Sequence, residues 1–215
     1  VTKTPMGSMA LTFLDQKNAI YEFNGLTKQI VPQVFGELPW CQLLPSSRLT
    51  GAKNYTGLWW KSPPGSESGW GINFSHQGDV IFATWFTYDS SGEPSWIVAT
   101  LNKVAENVYT GTAYRTTGLH FSATPFDPTK VKATQVGAIT LNFIDGKNAT
   151  FDYTIDGRKE VENITAQEFG EAVTVCEPIT GMYIHSTDMN KVSYPDGYST
   201  KLEDPASFNT DPCKL

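Results

Sequence analysis

Nothing in this chain approaches the roughly 18 consecutive apolar residues of a transmembrane helix, and no basic run occurs anywhere in it. The first absence excludes a spanning helix. The second, with a net charge of -6 and a pI of about 5.0, makes nucleic acid and anionic membrane poor partners. Cysteine is sparse: Cys41, Cys176 and Cys213 stand too far apart for a zinc cluster, and there is no C-x-x-C. His76, His120 and His185 sit in unrelated contexts with no H-x-H or H-E-x-x-H pairing, so no metal site is expected and no cofactor is called for. Gly65-Ser66-Glu67-Ser68-Gly69 has Glu at its centre and does not meet G-x-S-x-G. No acid–base carboxylate pair can be assigned either, because the Asp residues cluster at turns. No signal peptide is seen: Val1 starts directly in strand-like sequence, and the chain reads as a mature or excised piece. Charged residues are few, at 18%, and Thr, Asn, Ser and Gly take the surface positions, a mix common in secreted β-proteins.

What is present is β-pattern. The stretch from Tyr55 to Asp89 carries four of the six tryptophans. Trp70 to His76 alternates apolar and polar residues, Gln77-Gly78-Asp79 supplies a turn, and Val80 to Tyr88 is almost wholly β-branched or aromatic. Farther on, Thr4–Phe23 lies over Thr134–Tyr153 without a gap. Gly7 meets Gly137, Leu11 meets Leu141, Phe13 meets Phe143, and Lys17-Asn18-Ala19 meets Lys147-Asn148-Ala149. After small length changes Phe35-Gly36-Glu37 meets Phe169-Gly170-Glu171, and Cys41 meets Cys176. Residues 1–41 are therefore a partial repeat, the last third of a unit whose complete copy spans 55–176; residues 42–54 read as a linker.

The complete copy divides into eight strands: 55–61, 69–76, 80–88, 95–105, 108–117, 138–144, 149–155 and 161–169. Ala149, Phe151, Tyr153 and Ile155 point one way and Thr150, Asp152 and Thr154 the other. This all-β pattern with local turns predicts an eight-stranded antiparallel up-and-down barrel, which removes exposed edges; a β-sandwich is the alternative. An outer-membrane barrel is disfavoured by the wholly polar outward face Thr150, Asp152, Thr154, Asp156 and by short turns at both ends. Past Cys176, Ile179-Thr-Gly-Met-Tyr183 echoes Tyr55-Thr-Gly-Leu-Trp59, so residues 177–215 read as the diverged start of a further repeat and an irregular tail. The three strands of residues 1–41 would leave Met9, Leu11, Phe13, Tyr21 and Phe23 on one open face, needing cover from that tail, in the same chain or a neighbour, or from the barrel wall. Cys176 and Cys213 bracket the tail, and a bridge between them is expected, closing a loop of about 37 residues, with Cys41 free or paired outside.

The strings G-L-W-W, S-G-W-G-I-N-F, H-Q-G-D, F-A-T-W-F-T-Y-D, S-G-E-P-S-W and Y-R-T-T-G resemble a tandem-repeat family of bacterial secreted or surface proteins, over about 55–176 with the closing part again at 1–41. The family brings no established activity. In strand number and in its aromatic G-x-W opening the unit is also similar to avidin- and lipocalin-type barrels, a likeness of architecture alone. The resemblance implies a secreted, extracellular or cell-surface protein, the periplasm being another setting. Asn54, Asn148 and Asn163 head formal N-glycosylation sequons: in a bacterial source, as the resemblance implies, these are Thr-rich strand and turn sequence, whereas in a eukaryotic secreted protein they would be strong glycosylation candidates.

Candidate ligand-binding residues are Trp59, Trp60, Trp70, Asn73, His76, Trp85, Trp96, Tyr114 and Arg115. Tryptophan faces at a barrel mouth can stack on sugars or apolar ligands; the competing role is to fill the core. Trp59 and Trp60, being adjacent, face opposite sides of one strand, so one lies outside the barrel. Three functions follow: a non-catalytic binding or assembly module whose partners are other repeats or protomers, a carbohydrate- or small-ligand-binding barrel, and an enzyme of unknown class. The last lacks any visible nucleophile–base, metal or acid–base set. An open aromatic mouth would favour the second over the first.

Overall fold

A computed structural model describes residues 4–178 except Gln16, together with the strand segments 183–184, 191–193 and 199–201. The chain divides into two compact units, one of residues 35–178 and one of residues 1–34 with 179–215.

The larger unit is built on a closed barrel of eight antiparallel strands: β5 (Gly57–Lys61), β6 (Gly71–Gln77), β7 (Val80–Tyr88), β8 (Pro94–Ala105), β9 (Val108–Thr117), β10 (Lys132–Phe143), β11 (Asn148–Ile155) and β12 (Arg158–Ala166). Consecutive strands pair throughout, and β12 closes on β5 through Ile164↔Lys61, Thr165↔Trp60 and Ala166↔Trp59. The barrel is therefore up-and-down, as the local turns require, and not a sandwich. The Asp156-Gly157 hairpin turn takes positive φ at both residues, 50° and 81°, the geometry of a tight type I′ turn.

Alternation along each strand sends one set of side chains inward. Phe151, Ala149 and Ile155 are buried while Thr150, Asp152 and Thr154 face outward. The interior is filled mainly by aromatics, as an eight-stranded barrel allows. Phe143 stacks on Tyr55 at 3.6 Å between centroids and meets Trp59 and Phe74 edge-on. These rings sit toward one end, where the turns 78–79, 106–107 and 144–147 are short.

A plug shuts that end. Residues 42–54, expected to be a linker, instead form most of β4 (Trp40–Pro45) and a 3-10 turn, Ser46–Gly51, which puts Leu49 and then Ala52 into a small core with Val175. Gly146 fits beneath them because a Cβ there would lie 2.0 Å from the Leu49 carbonyl. β4 pairs with β13 (Ala172–Glu177), and their register sets Cys41 opposite Cys176, which form a disulfide. The expected Cys176–Cys213 bridge is corrected by this pair; Cys213 lies outside the described residues. Phe35, placed by the repeat with the partial copy, belongs to the barrel unit: the Phe35 and Gly36 N–H groups donate to Gln77 Oε1 at 2.9 and 3.1 Å.

The smaller unit holds a three-stranded sheet, β1 (Met9–Phe13), β2 (Ala19–Phe23) and β3 (Leu26–Ile30), and a second sheet of the short strands β14 (Tyr183–Ile184), β15 (Lys191–Ser193) and β16 (Ser199–Lys201). The remaining tail positions, His185 among them, lie outside the described residues.

Candidate functional site

The end of the barrel opposite the plug is open. Its connections include the long segments 62–70 and 118–131, contrary to the expectation of short turns at both ends. Long loops over one end of a rigid barrel are the usual place for binding residues. At this end lies an open-mouthed cavity of about 750 Å³, with Trp85, Trp96, Arg115, Tyr153, Asp156 and Glu160 in its lining.

The same alternation that fills the closed end with aromatics places charge at this one. Cross-strand partners Tyr153↔Glu160, Phe151↔Glu162 and Ile164↔Lys61 share the inner face, so Glu160, Glu162 and Lys61 project into the upper barrel, with Arg158, paired to Ile155, exposed at its rim. Inward charges in a barrel wall are costly to bury unless they are paired or solvated, and here they are paired. Lys61 forms an ion pair with Glu162 and lies 3.4 Å from Glu67, Arg158 pairs with Glu160, and Arg115 Nη2 donates to Asp156 Oδ2 at 2.8 Å. The Tyr153 hydroxyl donates to Glu160 Oε2 at 2.5 Å. That bond, with help from Arg158, holds the Glu160 carboxyl below its ordinary range. The Trp70 Nε1–H bond to Glu67 Oε2 at 3.0 Å does the same for Glu67. Burial and the Glu160 partner push the Tyr153 hydroxyl up, so it stays a donor. Ionised carboxylates backed by fixed donors are hydrogen-bond acceptors for a ligand; a general acid needs the opposite shift.

Aromatic surface frames these groups. Trp85 meets Phe151 and Tyr153 at 5.0 and 4.7 Å and Trp70 edge-on at 6.2 Å. It is 92% buried (8% exposed), and its Nε1–H has no partner among the described residues. Trp96 stands at the rim, on the outer side of β8, half-exposed and fixed by Nε1–H donation to Thr116 Oγ1 at 3.1 Å.

Of the nine residues singled out from the sequence, the structure brings together Trp70, Trp85, Trp96 and Arg115. The others lie elsewhere. Trp59 is core, its Nε1–H donated to the Tyr55 carbonyl at 3.1 Å. Trp60 is on the outside of β5, as alternation demands of one member of that pair. Asn73 is on the outer face of β6, and Tyr114 on that of β9. His76 is buried at the closed end. Its Nδ1 accepts the Tyr55 N–H at 3.1 Å, and its Nε2–H is directed to the Gly78 carbonyl at 2.9 Å, with the Tyr109 hydroxyl 3.1 Å away. Burial lowers its pKa to about 4. It is a neutral strut, remote from the mouth. Asn54 is also buried, with its amide donated to the His76 carbonyl, and Asn148 bonds Asp145; Asn163 is exposed.

Sequence reasoning missed Lys61, Tyr153, Arg158, Glu160 and Glu162 as site residues. Their signal was available in the pattern: on a strand whose partner places Phe151 and Tyr153 inward, Glu160 and Glu162 occupy the inward positions too, with Arg158 in the same alternation at the rim. Among the described residues no group of three or more His, Cys, Asp or Glu is placed to hold a metal ion.

No family model, curated protein or solved structure matches this chain.

Proposed function

We propose that the barrel is a non-catalytic binding module whose open mouth takes a small, uncharged polyhydroxyl ligand of the carbohydrate class, within a secreted or cell-surface tandem-repeat protein. The supporting observation is the mouth itself: aromatic faces beside already paired charges, around a cavity of about 750 Å³. Cavities of this size that combine an apolar wall with a few fixed polar groups suit small ligands. Trp96 and Tyr153 offer faces to a sugar ring, with Trp85 forming the apolar floor beneath them. Asp156 and Glu160 accept from hydroxyls, while Arg115 and Arg158 donate. Because these cations sit in ion pairs with those carboxylates, the mouth has no strong field of one sign to select a charged ligand. The open mouth favours this reading over a purely assembly-directed module.

A glycan array with a thermal-shift screen of saccharides and polyols tests it. Binding should appear with the native chain and be lost in Trp96→Ala and Arg115→Ala, neither of which fills the core. A panel that returns no ligand, or a ligand indifferent to both substitutions, would overturn the reading.

A further inference from the structure

One side of the outer barrel wall differs in charge from the rest of the molecule. The chain has 22 acidic and 16 basic side chains. Yet the outward positions of β6, of β7, of β8 as far as Asn102, and of β9 are all uncharged. The strands β11 and β12 show the usual alternative, with Asp152 and Lys159 facing water 3.8 Å apart. Four neighbouring strands therefore meet solvent without a charge.

Rings, hydroxyls and amides take the place of charge. Phe86 and Trp96 are direct cross-strand partners, 50% and 52% exposed, close enough for their side chains to form one surface. Gly71, the partner of Phe86 on its other side, adds no side chain to cover it. The next row away from the mouth runs Asn73, Thr84, Val98 and Tyr114, each paired with the one before. It holds Asn73 and Tyr114, two of the sequence candidates that lie outside the mouth. Trp96 and Tyr88 belong to both surfaces, since alternation places them on the outer face while both also line the cavity. Apolar surface therefore runs from Trp85 in the cavity over Trp96 at the rim to Phe86 on the wall.

We infer that this wall extends the mouth site and that the ligand is a neutral oligosaccharide chain, one sugar in the cavity and the following units laid across the rim over Trp96 and Phe86. The inference rests on the carbohydrate reading of the mouth and adds the length and path of the ligand. A wall without charge has nothing to hold a nucleic acid or a charged peptide. Rings set among Thr hydroxyls and the Asn73 amide suit a chain that offers apolar C–H faces and hydroxyl edges in turn. A bare face can also receive a second copy. Here the exposed rings, Phe86, Tyr88 and Trp96, gather at the mouth end, whereas Phe82, nearer the closed end, is half-buried beside Phe35. That distribution follows the cavity and not the middle of the wall, where two barrels would touch.

Calorimetric titration of the full chain with gluco-, manno- and xylo-oligosaccharides of one to six units tests the path, in the native protein and in Phe86→Ala and Phe86→Tyr. Phe86 is half-exposed and outside the cavity lining, so its loss should leave the fold and monosaccharide binding unchanged. In the native chain affinity should rise about three- to tenfold once the saccharide is long enough to reach Phe86. Phe86→Ala should abolish that rise, and Phe86→Tyr should restore it. Affinity independent of length, or a length dependence that Phe86→Ala leaves intact, would overturn the extension while the mouth reading stands. Binding of no saccharide at any length would remove the mouth reading and the extension together. A dimer in light scattering that dissociates in Phe86→Glu would give the wall to a second copy and overturn the extension as well.

Discussion

His76 offers a measurement in which a single buried group controls a stretch of the stability curve. It lies in the shut end of the barrel, its ring stacked on Tyr55 at 5.4 Å and edge-on to Tyr109 at 5.1 Å. Nearby charges are Asp79, which favours the imidazolium, and Lys103, which disfavours it; desolvation outweighs both and takes the pKa from 6.5 down to about 4. Burial also raises the Tyr109 hydroxyl to about 12, so it stays neutral throughout. Because the folded pKa is depressed, the unfolded chain binds the proton first as pH falls. Stability from this group is complete above about pH 6.5 and is lost as pH drops toward 4. With 1.36 kcal/mol per unit, the loss is about 2 kcal/mol by pH 5 and about 3 kcal/mol by pH 4. Urea unfolding followed by tryptophan emission at pH 7, 6 and 5, in the native chain and in His76→Asn, reads the effect as a difference in slope, with other titrating groups cancelling. The variant should be less stable at pH 7, having lost the bonds to Tyr55 and Gly78, yet flatter between pH 6.5 and 5, so that its deficit narrows as pH falls. Equal slopes in the two proteins would refute the argument, as would an NMR titration placing the His76 pKa at 6.5 or above.

Three further outcomes follow from the packing. Phe151→Ala removes a ring buried against Trp85 and Tyr153 and should cost about 3–5 kcal/mol, whereas Asp152→Ala, on the outer face near Lys159, should change stability by less than about 0.5 kcal/mol; equal losses in urea unfolding would contradict the register. Reducing the Cys41–Cys176 bridge, which spans 135 residues of sequence, should lower stability by about 2–5 kcal/mol, and non-reducing peptide mapping should recover these two peptides joined; a Cys176–Cys213 peptide would contradict the fold of the closed end. Gly146→Ala would set a methyl 2.0 Å from the Leu49 carbonyl, so the plug must shift, and amide exchange at Leu49 and Ala52 should accelerate while that of β7 and β8 does not; unchanged exchange at the plug would count against its seating.

Much of this architecture was legible because strand alternation is a strong local signal. β7 and β9 begin and end where periodicity placed them, at Val80–Tyr88 and Val108–Thr117, and the inward set on β11 follows directly from Phe151 and Tyr153. The segment 42–54 was not legible, since β4 has one partner, β13, far along the chain, and its burial comes from a plug no local pattern announces. The cysteine pairing failed for a related reason. Cys41 and Cys176 occupy the same place in successive repeats, and equivalence suggests separate roles, yet the two segments flanking the barrel lie antiparallel and bring the equivalent positions face to face. At the mouth, attention to tryptophan found Trp70, Trp85 and Trp96 but passed over charged residues in the inward register, because an inward Glu or Arg reads as surface until the closed barrel shows which face it shares. His76 was drawn into the candidate set by its residue type alone, and burial decides its role.

The most direct test of the mouth as the binding site uses the six tryptophans as reporters. Indole N–H resonances, assigned by single Trp→Phe substitutions, can be followed by ¹⁵N NMR during titration with a saccharide or polyol returned by the screen. Trp85 and Trp96 should shift and saturate together, with Trp70 following through its contact with Trp85, while Trp59 in the core and Trp60 on the outer wall stay in place. Shifts confined to Trp59 or Trp60, or a bound ligand that leaves Trp85 and Trp96 unmoved, would contradict it.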